Sequence, residues 1–455
     1  MKPLIKYTGG KYREYEYFKK EIPSVINNYF EPFFGGGGVM FRLVEDDRIR
    51  NSIFISDISS DLMEFYSCIG KEEFAKEVRK IESAWNDIHS ISHYFCDKYR
   101  EMFANIITCK IPIENFDVVK DELKQKIQDS EALMAINYHG FSVSDTIINS
   151  VFDKIKKFKK KYETSKTIEE SKNVFREKVK DIFNENFTEF LLKDTKYVTK
   201  DKKLQIKIQE EKDINSLTIG DLEYIKTNND FDKYIKTNTK NTKPIFYLTE
   251  EELLELSCES IETSIHQGFY FTIRDMYNDW LVNKINDYTL YEKYAQWYYI
   301  REFCFGGMFR FGKDGKFNIP YGGNAYNGKL WGDKIKNLLS EETKQIFSNV
   351  NINVCDFETA LSRKFEENDF IFLDPPYDST FSEYDNNSFT REDHKRLHDM
   401  LKNVKCKWLM IIGETDFINQ LYEDFPKIEY EKTYMYQARG TYDNKKTKHL
   451  IIKNY

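Results

Sequence analysis

The chain has 455 residues, 40% of them hydrophobic and 31% charged, with a net charge of -7. Its 36 Phe, 31 Tyr and 5 Trp supply far more apolar surface than a disordered polymer carries, and its length admits two to three domains. No run approaches the roughly 20 apolar residues of a membrane span, and no apolar segment follows the charged start, so a cytoplasmic protein with neither membrane partner nor signal peptide is expected. The acidic balance argues weakly against a nucleic-acid partner, but a local basic cleft on an acidic body is enough for one. The seven cysteines form no CxxC pair and read as reduced thiols, forming neither a disulfide frame nor a zinc site.

In chain order, Lys6-Tyr7-Thr8-Gly9-Gly10-Lys11 is a glycine turn that lets backbone approach a ligand, with Lys11 ready to meet a carboxylate or phosphate. Tyr29–Phe33 reads as a buried strand entering the Gly35–Gly38 cluster, and Ser52–Ser56 as a second strand ending at Asp57. A strand, a glycine turn, a helix and an acid at the next strand end suit a nucleoside cofactor, because the acid accepts from ribose hydroxyls. The spacing is not GxGxxG, which disfavours NAD.

From about 86 to 264 the composition shifts to Lys, Glu and Ile with few Gly, which marks an inserted module. Val151–Phe190 is helical in pattern, and Thr195–Asn241 is polar with short β-like pieces such as Leu204–Ile208. The run Lys154, Lys156, Lys157, Lys159, Lys160, Lys161 reads first as a solvated helix face and secondly as a phosphate-binding one.

The α/β pattern then resumes. Ile352–Asp356 is a strand ending in an acid, and Phe370–Leu373 is another, bounded by Asp374-Pro375-Pro376-Tyr377. Trp408–Ile412, Lys427–Tyr436 and His449–Tyr455 are the last strands, with helical spacing over Ser59–Ile69, Glu358–Glu367 and Arg391–Val404. The two prolines fix the backbone and remove two amide donors, so Asp374 and the Pro375 carbonyl present two acceptors beside the Tyr377 ring. Two acceptors and a stacking face suit the amino group of an extruded base. His394 and His398 have the i, i+4 spacing of zinc ligands but lack a third ligand nearby, so no metal is expected. Arg439, Lys445, Lys446 and Lys448 flank Gly440 and read as a mobile basic loop.

The order of these pieces resembles the Dam-type adenine-N6 DNA methyltransferases. Besides the segments at 6–11, 31–37, 56–58 and 374–377, it includes Arg301-Glu302-Phe303-Cys304-Phe305-Gly306-Gly307-Met308-Phe309-Arg310, Phe317-Asn318-Ile319-Pro320-Tyr321-Gly322 and the terminal His449–Tyr455. The resemblance covers about 1–85 and 268–455 and implies a Rossmann-like α/β fold, in which the 86–264 module is a large, mainly helical insertion without counterpart in the short family members. It divides the chain into 1–85 (cofactor half), 86–264 (inserted module for DNA recognition) and 265–455 (recognition hairpin at about 300–325, and the catalytic half). It implies S-adenosyl-L-methionine held by Tyr7, Lys11, Phe33, Gly35, Asp57 and Asp356. Asp374, Pro375 and Tyr377 would hold a flipped adenine of duplex DNA, and Arg301, Arg310, Asn318 and Lys446 would contact the DNA. A cognate restriction endonuclease is a further implied partner. Tyr7 stands where the family often has Trp, and Gly413-Glu414 where it often has Ser-Asn. Cytosine-N4 methylation, an RNA substrate, a fused nuclease in the insert and a non-catalytic DNA-binding subunit are the rival readings.

Overall fold

The computed structural model describes residues 2–7, 9–136, 140–186, 245–283, 289–378, 389–438 and 441–455. The β-like pieces expected around Leu204–Ile208 fall outside them. The chain divides into two compact units, one formed by 1–85 with 270–455 and the other by 86–269.

The first unit is built on a seven-stranded sheet. Its strands are β1 (Tyr29–Glu31), β2 (Ile53–Asp57), β3 (Val350–Val354), β4 (Phe370–Leu373), β5 (Lys407–Gly413), β6 (Lys427–Ala438) and β7 (Thr441–Lys453), in the spatial order β3-β2-β1-β4-β5-β7-β6. The first five pair in parallel; β7 lies antiparallel between β5 and β6. The register sets Tyr29 beside both Ile53 and Phe370, so β1 sits between β2 and β4. All four residues of β4 are buried, as a central strand covered on both faces requires. One face carries Phe30, Ile371, Leu373, Trp408, Met410 and Ile412 against Leu397, Leu401 and Ile418 of the covering helices. Strand order reverses between β1 and β4, which leaves a crevice at their carboxyl ends, where open α/β sheets bind ligands.

Helices α1 (Tyr15–Phe18), α2 (Gly38–Glu45) and α3 (Ser60–Cys68) belong to the early half. Ser59 caps α3 by accepting from the Leu62 amide. The helix expected over Glu358–Glu367 spans only Phe357–Leu361, because Asp356 caps its start and Ser362 leaves helical geometry. Of the basic segment expected as a mobile loop, Arg439 and Gly440 lie outside the described residues, and Lys445, Lys446 and Lys448 are instead strand, in β7 opposite Tyr434, Thr433 and Glu431.

The second unit is helical. It holds most of α4 (Glu72–Ile107), then α5 (Phe116–Gln128), α6 (Glu131–Ile136), α7 (Val143–Asn186) and the first part of α8 (Glu250–Asn283). In the lysine run Lys159 pairs with Glu163 at 2.8 Å, while Lys154 and Lys156 lie over the Phe158 and Phe152 rings. Helices α4 and α8 bring Cys96 and Cys258 into sulfur contact, with their Cα atoms 4.8 Å apart. This corrects the expectation of unpaired thiols. The partners stand 162 positions apart, so spacing along the chain carries no sign of the pair. No described helix is long and apolar enough to cross a membrane.

Candidate functional site

The glycine turn after β1 is shaped by what presses on it. Gly35 and Gly37 have positive φ, +50° and +66°, which suits glycine. A Cβ on Gly35 would lie 2.7 Å from Tyr7 Cε1, and one on Gly36 equally close to Tyr7 Cβ, so the bare backbone makes room for that ring. Tyr7 remains 42% exposed, with one face on the turn and the Arg301 guanidinium 5.4 Å from its centroid. Asp57, at the end of β2, accepts the Gly35 amide on one carboxylate oxygen and the Ser59 amide on the other, both at 3.0 Å. Burial nonetheless raises its pKa. Each oxygen keeps a lone pair, which suits a ribose diol. Phe33 closes the neighbouring wall against Phe357 and Phe389, at 5.6 and 5.7 Å.

At the end of β4, Lys11 reaches across from the N-terminal turn. Its Nζ lies 2.9 Å from one Asp374 oxygen and 3.0 Å from the other, and donates to the Gly9 carbonyl at 2.7 Å. Lys11 is buried, whereas the Asp374 side chain is 20% exposed. Burial raises the Asp374 pKa, and the Lys11 charge opposes the rise. Lys11 also sits 5.2 Å from the centre of the Tyr377 ring. Buried His449 meets that ring edge-on at 5.3 Å, with Tyr377 Oη 3.3 Å from His449 Nδ1. Burial lowers the His449 pKa to about 4, so the imidazole is neutral at pH 7. Behind it Tyr430 donates to Glu14 at 3.0 Å, and Lys432 pairs with the same carboxylate. A Cβ at Gly413 would come within 3.2 Å of Tyr377 Cδ2, so the glycine ending β5 leaves space for the ring.

The structure therefore brings Lys11, Asp374, Pro375 and Tyr377 together at the end of β4, and Tyr7, Phe33, Gly35 and Asp57 at the ends of β1 and β2, the next two strands along the sheet. Asp356 lies near Asp57, since the Cys355 amide donates to the Asp57 carbonyl at 3.2 Å. One Asp356 oxygen caps its helix through the Glu358 amide at 2.7 Å, leaving the other available.

Arg301 departs from its expected place on a DNA-facing surface. It ends α9 (Leu290–Phe303), is 7% exposed, donates to the Lys6 carbonyl and packs among Tyr7, Trp297 and Phe309. Its charge braces the Lys6–Tyr7 segment instead. Arg310 and Asn318 are exposed and paired, the Asn318 amide donating to the Arg310 carbonyl at 3.4 Å. They lie on a hairpin-like excursion closed by bridges between Cys304 and Tyr321 and between Phe311 and Phe317. Buried Asn278 grips its inner side, donating to the Phe317 carbonyl at 3.0 Å and accepting its amide at 2.7 Å. The Lys446 backbone pairs within the β6–β7 hairpin; its side chain lies outside the described residues. His394 and His398 are buried against Phe389 and Tyr422.

Sequence reasoning missed Glu14, Tyr430 and Lys432, which come together only in three dimensions. It also missed Glu302, 2% exposed and ringed by Lys6, Lys329 and Lys334, which ties the N-terminal turn to the segment after α9. An acid inside the Arg301–Arg310 segment was the one available signal for it.

Comparison with known proteins bears on the whole arrangement. The family model described as D12 class N6 adenine-specific DNA methyltransferase matches residues 7–214 and 212–436. The type II methyltransferase M.CviBI of Paramecium bursaria Chlorella virus NC1A is 36% identical over 192 residues, covering 39% of this chain and 71% of that protein. The type II methyltransferase M.MjaIII of Methanocaldococcus jannaschii is 29% identical over 217 residues, 45% of this chain and 71% of its own. The retron Ec67 DNA adenine methylase of Escherichia coli is 29% identical over 160 residues, 34% of this chain and 52% of its own.

Proposed function

Because the chain belongs to the D12 class of N6 adenine-specific DNA methyltransferases, we propose that its sheet crevice binds S-adenosyl-L-methionine beside an adenine flipped out of duplex DNA, at a recurring target sequence. The observation that carries this reading is the Lys11–Asp374–Tyr377 cluster at the end of β4, one strand from the glycine turn of β1. The family favours adenine over the cytosine-N4 alternative and over a non-catalytic role.

The residues fit the cofactor's parts. The Asp57 lone pairs suit the ribose hydroxyls, and the exposed Tyr7 ring and Phe33 give apolar walls. Asp356 has one carboxylate oxygen left for an adenine amino group. When bound, the cofactor supplies an electrophilic methyl on its sulfonium.

The chain's own work is on the acceptor. The adenine N6 lone pair is conjugated with the ring and is a poor nucleophile. Asp374 accepts one amino hydrogen and the Pro375 carbonyl the other, which favours a pyramidal nitrogen with its lone pair free. Tyr377, held edge-on by His449, stacks on the base and fixes its plane. Lys11 keeps Asp374 ionised in a buried place, sharing the carboxylate once the base enters. Orientation and fixed charge thus carry the catalysis, with no covalent enzyme intermediate. Arg310 and Asn318 on the exposed excursion serve the DNA, with Lys446 a further contact. Relatives named type II methyltransferases make a cognate restriction endonuclease a fitting partner.

The test is expression in a host lacking adenine methylation, with modified bases mapped across its genome beside an Asp374→Ala control. Methyladenine at one recurring sequence, lost in the control, is the expected result. No modified adenine from a protein that still binds the cofactor would overturn the reading.

A further inference from the structure

The Asp374–Tyr377 motif is followed at once by an acid that the chemistry above does not use. The side chain of Asp378, directly after Tyr377, is only 12% exposed, and three donors from two other elements converge on it. Arg391 Nε donates to Asp378 Oδ1 at 2.9 Å and Arg391 Nη2 to Oδ2 at 3.1 Å, the two-pronged geometry in which a guanidinium fixes a carboxylate in its own plane. Thr415 Oγ1 donates to Oδ2 at 3.0 Å. The Arg391 guanidinium lies 4.8 Å from the centre of the Phe417 ring, so it is braced in turn. Arg391 and Thr415 hold the Asp378 carboxyl below its ordinary pKa and keep it ionised at pH 7.

These bonds to Asp378 are not what starts the two helices. The helix Arg391–Leu401 opens on Thr390, whose hydroxyl accepts the Asp393 amide while the Asp393 carboxylate accepts the Thr390 amide. Thr415 caps the helix Asp416–Leu421 by accepting the Ile418 amide at 3.2 Å, and gives its hydroxyl proton to Asp378. An ion pair whose arginine is 64% exposed also adds little stability. What the three residues flank is more telling. Asp378 follows Tyr377, Arg391 stands two residues after Phe389, and Thr415 two residues after Gly413. Phe389 packs on Phe33 at 5.7 Å, and Gly413 leaves space for the Tyr377 ring.

We propose that Asp378, Arg391 and Thr415 are positioning residues for methyl transfer, a clamp that fixes the backbone at Tyr377 and sets the base-holding ring against the Phe33–Phe389 wall assigned to the cofactor. This rests on the function proposed above, in which Tyr377 stacks on the adenine. Pro375 and Pro376 restrict the chain ahead of Tyr377, and the clamp restricts it behind. Transfer needs the attacking nitrogen, the methyl carbon and the sulfur in line, and a displacement of about 1 Å costs on the order of 10²-fold in rate. Each ligand binds through its own wall, so a loosened clamp leaves both affinities and loses the alignment between them.

The test uses the full chain and duplex DNA carrying its mapped target. Arg391→Lys keeps the charge at an exposed position but offers a point charge in place of two coplanar donors. Asp378→Asn keeps the shape and removes the charge. Each should lower kcat by about 10- to 100-fold, with the cofactor Kd, the DNA Kd and the melting temperature close to those of the unaltered enzyme. The double variant should be no slower than the slower single one, since both changes release the same clamp. Arg391→Lys carries the test if Asp378→Asn fails to fold. An Arg391→Lys enzyme as fast as the unaltered one overturns the proposal, as do additive losses in the double variant. A slower enzyme that also binds the cofactor more weakly or melts earlier overturns it too, because the clamp is then a structural prop. An unaltered enzyme that methylates no adenine defeats the functional reading itself, and the clamp with it.

Discussion

Lys11 grips both carboxylate oxygens of Asp374, at 2.9 and 3.0 Å, although the residues stand 363 positions apart. Burial raises the Asp374 pKa above its ordinary 3.8, and Lys11 restrains the rise. Only the carboxylate accepts a hydrogen bond from the amino group on either oxygen, so turnover should climb with pH as Asp374 ionises. Lys11→Met is expected to shift that acid limb to higher pH. A kcat profile on cognate DNA reads the shift, and a limb that stays in place counts against the pair. Asp374→Ala should lower kcat by roughly 10²–10³, the usual cost of one preorganised partner.

In the proposed function Asp57 anchors the cofactor side independently of the base side. Asp57→Ala is expected to weaken S-adenosyl-L-methionine binding by roughly 10–100-fold, the loss of about 1.5–3 kcal/mol of charged hydrogen bonding. Gly35→Ala should do the same by another route, since its Cβ drives into the Tyr7 ring. Calorimetry without DNA separates both from the Asp374 variant, which should keep its cofactor affinity.

His394 gives a stability prediction outside the chemistry. It is buried among Phe389 and Phe417, and burial lowers its pKa from 6.5 to about 4. The unfolded chain therefore takes up a proton below pH 6.5 that the folded chain refuses until about pH 4. Its contribution is present above 6.5 and lost as pH falls through that window. His394→Phe should flatten the loss of denaturant stability between those pH values, and an unchanged slope would refute the assignment.

The exposed excursion should act on DNA alone. Asn278→Ala removes both clamps on the Phe317 backbone and leaves a buried amide and carbonyl unpaired. DNA affinity and sequence selectivity are expected to fall while cofactor binding holds. Arg310→Ala should reduce the salt dependence of DNA binding by about one counterion if Arg310 meets a phosphate, or relax one base position if it reads a base edge. Filter binding at several salt concentrations distinguishes these, and no change in either would remove Arg310 from the interface.

The parallel strands were legible because buried strands are short apolar runs, and their chemistry follows at the carboxyl ends: Phe370–Leu373 before Asp374, and Ile53–Asp57 itself. The Gly35–Gly38 turn was legible for the same local reason. The support behind Tyr377 was not. Glu14, Tyr430 and His449 belong to a helix cap and two strands, and nothing in their immediate neighbours predicts that they meet. Arg301 was misread because an arginine near a recognition segment looks exposed, whereas packing against Trp297 and Phe309 buries it. Cys96 and Cys258 escaped because helix pairing, not spacing, makes them neighbours.

The meeting of α4 and α8 at Cys96 and Cys258 also says something about how such a chain changes over time. A segment that leaves and returns through one two-helix stem closes on itself at its base. Lengthening or shortening what lies between Cys96 and Cys258 then adds little closure entropy, which grows only with the logarithm of loop length. The stretch is a portable cassette: grafted onto a shorter enzyme at the equivalent joint, it can be gained, traded or lost while the ends of β1, β2 and β4 keep their register.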